Sequence, residues 1–196
     1  YSSNSLYVWG KYKFTSPEGH PNLESIEVSL KNPWTLSVIA YEKKMVGFVY
    51  YRNDLVHFDR LGKVLAIDRE FREGVPYIEG LVITGAERYE TLPVEDESIF
   101  EVILAATQAL EKCELTADRI VCDDSGLYLY FGSVCARVGS SNLEKRISQI
   151  SPILEKLGDK KGLLHLERYE DSEDLISFEE NVWPEELSTE ENTEAE

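Results

Sequence analysis

The sequence predicts an α+β chain: a two-strand hairpin, then a mixed or antiparallel β-sheet domain with two main helices. Two observations carry that prediction. Short segments of alternating apolar and polar residues, bounded by Pro, Gly, Asn or Asp, recur between residues 24 and 68 and again over 118–138. Two longer segments, 94–113 and 141–157, switch to apolar spacings of three and four, the period of a half-buried helix.

In chain order, Ser3 and Asn4 are candidate N-cap residues, and a helical segment over 2–13 is what the family resemblance set out below implies. Thr15 to Pro21 is rich in turn residues. The strand over 22–31 turns Ile26, Val28 and Leu30 to one face, and Asn32-Pro33 ends it, because proline cannot donate to a ladder. A second strand follows from Thr35. From Met45 the pattern gives strands over 46–52, 54–59 and 63–68, turned at Asn53-Asp54 and at Asp59-x-x-Gly62. Residues 75–80 read as a short break. The helix over 94–113 carries Ile99, Phe100, Ile103, Leu104, Thr107 and Leu110 on one stripe, with acidic residues at its start, where the helix dipole favours them. A three-strand meander over 118–138 comes next. Ser141-Asn142-Leu143-Glu144 has the form of a capping box, opening a helix that Pro152 is expected to kink or split and Gly158 to close. Strands over 163–169 and 174–180 finish the order.

Charge is unevenly placed. The chain has 37 acidic and 20 basic residues, a net of −17; residues 167–196 hold thirteen Asp/Glu against Arg168 alone, leaving −5 for residues 1–166. Such a surface lacks the clustered Lys/Arg that phosphate binding requires, so no nucleic acid partner is expected. Residues 184–196 contain six glutamates without apolar periodicity and read as an acidic mobile tail. No stretch reaches the roughly 18–20 apolar residues that span a bilayer. The chain begins at Tyr1, inside what reads as a domain, so a fragment of a longer protein is expected.

Little in the chain points to chemistry. Asp123-Asp124 invites a two-carboxylate hydrolase reading, but Asp before Ser125-Gly126 is ordinary turn chemistry. His20, His57 and His165 are far apart and show no metal-ligand spacing. Cys113, Cys122 and Cys135 form no CxxC pair and read as small buried hydrophobes, with a Cys122–Cys135 cross-strand bridge left open. No nucleophile elbow or phosphate loop is present. No enzyme activity, cofactor, metal or small-molecule substrate is expected.

The stretch Pro33-Trp34-Thr35-Leu36-Ser37-Val38-Ile39-Ala40-Tyr41-Glu42-Lys43, followed by Asp59-x-x-Gly62-x-Val64, resembles the FtsQ/DivIB family of bacterial division proteins. There a "P-x-T-L-x-V-x-x-Y-E-K" strand joins a POTRA domain to a second domain, and a "D-x-x-G-x-V" hairpin follows. Val75-Pro76-Tyr77-Ile78-Glu79-Gly80 and Val138–Leu157 match further steps of the pattern, and Leu166–Ser172 lies where the family has its "D-x-R-Y" step.

The resemblance implies a truncated POTRA domain over 1–45, a β domain over 46–183 and the tail over 184–196. It implies a single-pass membrane protein at the division septum, this portion lying on the extracytoplasmic side and the membrane segment preceding Tyr1. Such a protein gathers partners of the FtsB/DivIC and FtsL type and helps control septal peptidoglycan synthesis. The partner is expected to add a strand to the edge formed by the last two strands. Tyr169, Ile176 and Phe178 would anchor it, and Glu170, Asp171 and Glu179 would attract a basic segment. Proline at Ser177 is expected to block that edge. Two alternatives stay open: a POTRA-containing component of outer-membrane assembly or secretion, and a secreted ligand-binding domain with a cavity lined by Tyr and Trp.

Overall fold

The computed structural model describes residues 23–32, 35–123, 126–170 and 174–184. The expected helix over 2–13 and all of the acidic tail except Pro184 lie outside these residues. The chain divides into two compact units between Lys44 and Met45.

In the first unit β1 (Leu23–Asn32) and β2 (Thr35–Glu42) form an antiparallel hairpin, with Val28 opposite Val38 and Leu30 opposite Leu36. Asn32 pairs with Thr35, and β1 ends at Asn32, as the Asn32-Pro33 breaker predicts.

Among its described residues the second unit has nine strands and three helices. The strands are β3 (Met45–Tyr51), β4 (Asp54–Asp59), β5 (Val64–Asp68), β6 (Tyr77–Glu79), β7 (Arg119–Asp123), β8 (Gly126–Phe131), β9 (Val134–Arg137), β10 (Gly162–His165) and β11 (Ser177–Glu180). The helices are α1 (Glu97–Lys112), α2 (Leu143–Ile147) and α3 (Ile150–Leu157). The strands make one sheet in the order β11-β10-β9-β8-β7-β6-β3-β4-β5. Two antiparallel blocks, β3–β5 and β7–β9, are joined by β6, which runs parallel to both β3 and β7. β10 runs parallel to β9, and β11 antiparallel to β10. The fold is therefore α+β with a mixed sheet. Its helices lie in the two long crossovers that parallel neighbours demand, β6–α1–β7 and β9–α2–α3–β10.

Helices and strands share one core. Phe100, Ile103, Ala106 and Leu110 of α1, Ile147 of α2 and Ile150 of α3 join Val49, Val56, Phe58, Ile78, Ile120, Leu129, Ala136 and Leu164 in a single buried cluster. α1 starts where the first-turn acids predict, on an Asp96 cap whose carboxylate accepts from the Ser98 and Ile99 amides at 2.9 and 3.1 Å. At the Asp59–Gly62 turn, Asp59 Oδ1 accepts from the amides of Leu61 and Lys63 at 2.9 and 3.0 Å, and Gly62 has φ +73°. A Cβ there would stand 2.7 Å from the Phe100 ring, so glycine is needed on two counts.

Three expectations are corrected. Residues 77–79, read as part of a break, form the strand that joins the two antiparallel blocks of the sheet. The capping box does not form: Asn142, not Ser141, caps α2, in the left-handed region (φ 52°) and without a side-chain bond. The helix over 141–157 is two helices that part at Ser148-Gln149, and Pro152 falls in the first turn of α3, where its missing amide has no intrahelical acceptor to lose. Among the described residues no helix is long and apolar enough to cross a membrane.

Candidate functional site

The sheet ends at β11, and among the described residues no strand pairs with its outer side. Alternation along the strand sorts the site residues. Phe178 lies opposite Leu164 and, with Ile176, packs half-buried against the main core. Ser177 and Glu179 point to the other face, opposite His165 and Leu163.

Backbone direction is fixed by three bonds. Asn181 N–H donates to Lys161 C=O at 2.8 Å, so the amides of Ser177, Glu179 and Asn181 face β10. Gly162 N–H donates to Ser133 C=O at 3.1 Å and Leu166 N–H to Arg137 C=O at 2.9 Å, so the intervening Leu163 and His165 amides face β11. The outward amides belong to Phe178 and Glu180. Ser177 is therefore the wrong place for an edge-blocking proline, since its amide serves the existing ladder.

Tyr169 also departs from expectation. β10 stops at His165, the Tyr169 amide turns back onto the Leu166 carbonyl at 3.0 Å, and the side chain is buried in the main core. It offers no surface to a partner. Its carbonyl accepts from Nε of the buried Arg146 at 3.1 Å, while Arg146 Nη1 donates to Val138 C=O at 2.8 Å. Glu170 is exposed; its amide donates to Asp174 Oδ2 at 2.6 Å and its carbonyl accepts from Lys145 Nζ. Asp171 lies outside the described residues.

Beside β11 four charged or titratable side chains converge. His165 Nδ1 lies 3.2 Å from Glu167 Oε1, His165 Nε2 lies 3.5 Å from Glu179 Oε1, and Arg137 Nη1 lies 3.9 Å from Glu167 Oε1. Past β11 the chain turns at Asn181 (φ 62°), and Trp183 stacks at 7° on Tyr130 of β8, with ring centroids 6.3 Å apart. Tyr128, Tyr130, Cys135 and Leu163 form a small second cluster there, on the face away from the helices.

The other notable group on that face is aromatic and ionic. Phe48 contacts Tyr50, His57, Phe71 and Tyr77 at centroid distances of 5.5 to 5.9 Å. His57 is fully buried, with Arg72 Nη1 at 3.0 Å from Nε2 and 3.1 Å from Nδ1. Arg72 also holds Asp68 through bonds of 2.6 and 3.0 Å. Burial, then the Arg72 charge, lowers the His57 pKa; the Arg72 hydrogen bond lowers that of Asp68 to about 2. Neutral His57 and ionised Asp68 give a structural cluster rather than a metal site. Among the described residues no group of three or more His, Cys, Asp or Glu is placed to hold a metal ion.

Both shifts have the same sign. A group whose folded pKa is depressed takes up protons preferentially in the unfolded chain, so its contribution is full above the unfolded pKa and fades below it. Stability is thus expected to fall from about pH 6.5 downward through His57, and again from about pH 4 to 2 through Asp68, the second step being on the order of 2 kcal/mol. Denaturant melts across pH should show that lower step, and Asp68→Asn should flatten it; an unchanged lower step would reject the assignment.

Asp123 is exposed and ends β7, and Asp124 lies outside the described residues. Cys122 and Cys135 sit on β7 and β9 with β8 between them, and the three cysteines are thiols rather than disulfides. Burial raises the Cys122 pKa, as for a thiol in the core. The sequence did not single out the group around His165, because Glu179 joins it only after the chain reverses between β10 and β11. In comparisons with known proteins, no protein-family model matches this chain and no curated protein matches it.

Proposed function

We propose that this chain is the extracytoplasmic portion of a division scaffold of the FtsQ/DivIB type, which binds partners of the FtsB/DivIC and FtsL type by accepting a strand on the outer edge of β11. The observation that carries the reading is that edge: β11 closes a nine-stranded sheet, is bonded on one side only among the described residues, and presents two outward amides. Strand addition uses such groups for affinity and the alternating side chains for selection. Half-buried Ile176 and Phe178 supply apolar contact on one face, and Glu179 supplies charge on the other. In this reading the protein is not an enzyme. Its membrane anchor is an N-terminal segment outside this chain, and its place is the septum, where partner assembly controls peptidoglycan synthesis.

Proline placed at two neighbouring positions tests it. Glu180→Pro removes an outward amide that no described strand uses, and is expected to leave the fold intact while weakening binding of the host's FtsB/DivIC-type ectodomain by about tenfold or more. Ser177→Pro removes a β10–β11 bond instead and is expected to loosen β11 itself. Calorimetric titration of a folded Glu180→Pro variant that still binds at full strength would place the contact elsewhere.

A further inference from the structure

Two cross-strand rows on the face away from the helices run out to the edge of β11. One passes through Tyr128, Arg137, His165 and Ser177, each directly opposite the next; the other through Tyr130, Cys135, Leu163 and Glu179. The first row ends in serine, so it closes with a notch rather than a wall. A cleft of about 510 Å³ opens there, lined by Arg137, His165, Glu167, Leu175, Ser177 and Glu179, with Arg168 beside them.

The polar atoms of this cleft are incompletely used. Glu167 Oε1 lies against His165, but among the described residues Glu167 Oε2 is buried without a hydrogen-bond partner, as are His165 Nε2 and Arg137 Nε. His165 Nδ1 faces Glu167 Oε1 at 3.2 Å and Nε2 faces Glu179 Oε1 at 3.5 Å. Arg137 and Arg168 balance the Glu167 and Glu179 carboxylates in charge, but neither bonds Glu167 Oε2, and that acceptor calls for a donor. The described residues 169–170 and 174–184 hold Glu170, Asp174, Glu179 and Glu180 and neither Lys nor Arg.

We infer that the strand received by β11 carries a long cationic side chain, lysine or arginine, opposite Ser177, flanked by apolar residues that meet Ile176 and Phe178 on the other face. The inference rests on the strand-addition reading and names the partner's chemistry within it. A residue paired with Ser177 projects to the same face as Ser177. A long side chain there passes over the serine toward the Glu167 carboxylate. Its methylene stem then lies along Leu175, which is 95% exposed, while its charged head fills the donor role.

The test uses three short alternating Val/Thr peptides, identical except for one central Lys, Gln or Glu, titrated by fluorescence anisotropy against the whole chain. The Lys peptide should bind about tenfold more tightly than the Glu peptide. The preference should vanish in the Glu167→Gln/Glu179→Gln double variant, with its fold checked by circular dichroism, and all three peptides should be lost in Glu180→Pro. Equal binding of the Lys and Glu peptides to the wild type would overturn the inference while leaving strand addition standing. A preference that survives in the double variant would be general attraction to the neighbouring acids, and would overturn it too. Failure of every peptide to bind the wild type, or binding unaffected by Glu180→Pro, would reject strand addition at this edge and the inference with it.

Discussion

Gly80→Ala should abolish stable folding of the second unit, or reduce its stability by more than about 4 kcal/mol in denaturant titration. Gly80 follows β6 with φ +86°, and a Cβ at this position would lie 2.0 Å from the Cys122 carbonyl oxygen. That oxygen is backbone in β7, so relief requires β6 and β7 to separate, whereas a flexible side chain would simply move aside. β6 is only three residues long, and in the sheet order it sits between the two antiparallel blocks. Displacing it cuts the sheet in the middle. Gly132→Ala is the control: Gly132 also has positive φ, +56°, but nothing lies within 4 Å of its Cβ position, so only the conformational cost of about 1–2 kcal/mol remains. Similar losses from the two substitutions would show that the close approach to Cys122 is not what matters at Gly80.

Arg146→Met should cost about 3 kcal/mol. Arg146 is 3% exposed, and its guanidinium bonds the carbonyls of Val138 and Tyr169, one at the end of β9 and the other in the segment leading to β11. Methionine fills most of the volume but leaves both carbonyls buried and unpaired. Lysine keeps the charge yet lacks the planar fork that reaches two acceptors, so Arg146→Lys should recover only part of the loss. Loss of Arg146 also frees the backbone before the open edge. Hydrogen exchange should therefore accelerate in residues 166–170 more than in α1; uniform acceleration would show a purely global effect.

The sequence made the antiparallel parts of the fold readable and hid the parallel ones, for a physical reason. A hairpin writes its own turn: Asp59-x-x-Gly62 carries the side-chain acceptor and the positive φ that the reversal needs. The stripe on α1 is readable because one helix meets one sheet face. β6 has no such local signature. Three residues after a proline pair with strands distant in sequence, and only the surrounding sheet makes Ile78 a core residue. The Ser141–Glu144 pattern failed because a cap requires a backbone conformation as well as a residue type, and Asn142 takes the left-handed one. At the candidate site, the sequence singled out Ile176 and Phe178, which both pack half-buried against the main core. It misjudged Tyr169, because the strand before it ends four residues early and the ring turns inward. Which amides point outward was beyond the sequence, since that depends on the register of β11 against β10.

The two antiparallel blocks have a consequence for how the second unit assembles. Within residues 45–68 and 119–137 every strand pairs with its sequence neighbour, so each block closes only short loops. The entropy of bringing distant chain together is concentrated in two places: the three-residue β6, clasped between blocks whose facing strands start 74 residues apart (Met45 to Arg119), and β10, which returns to β9 after two helices. Folding speed is governed by such non-local closures more than by final stability. Each meander can form early on its own, and the slow step is their encounter across Tyr77–Glu79. β11 pairs only with β10, so the receptive edge is completed after that core has closed, and a partner strand meets it last.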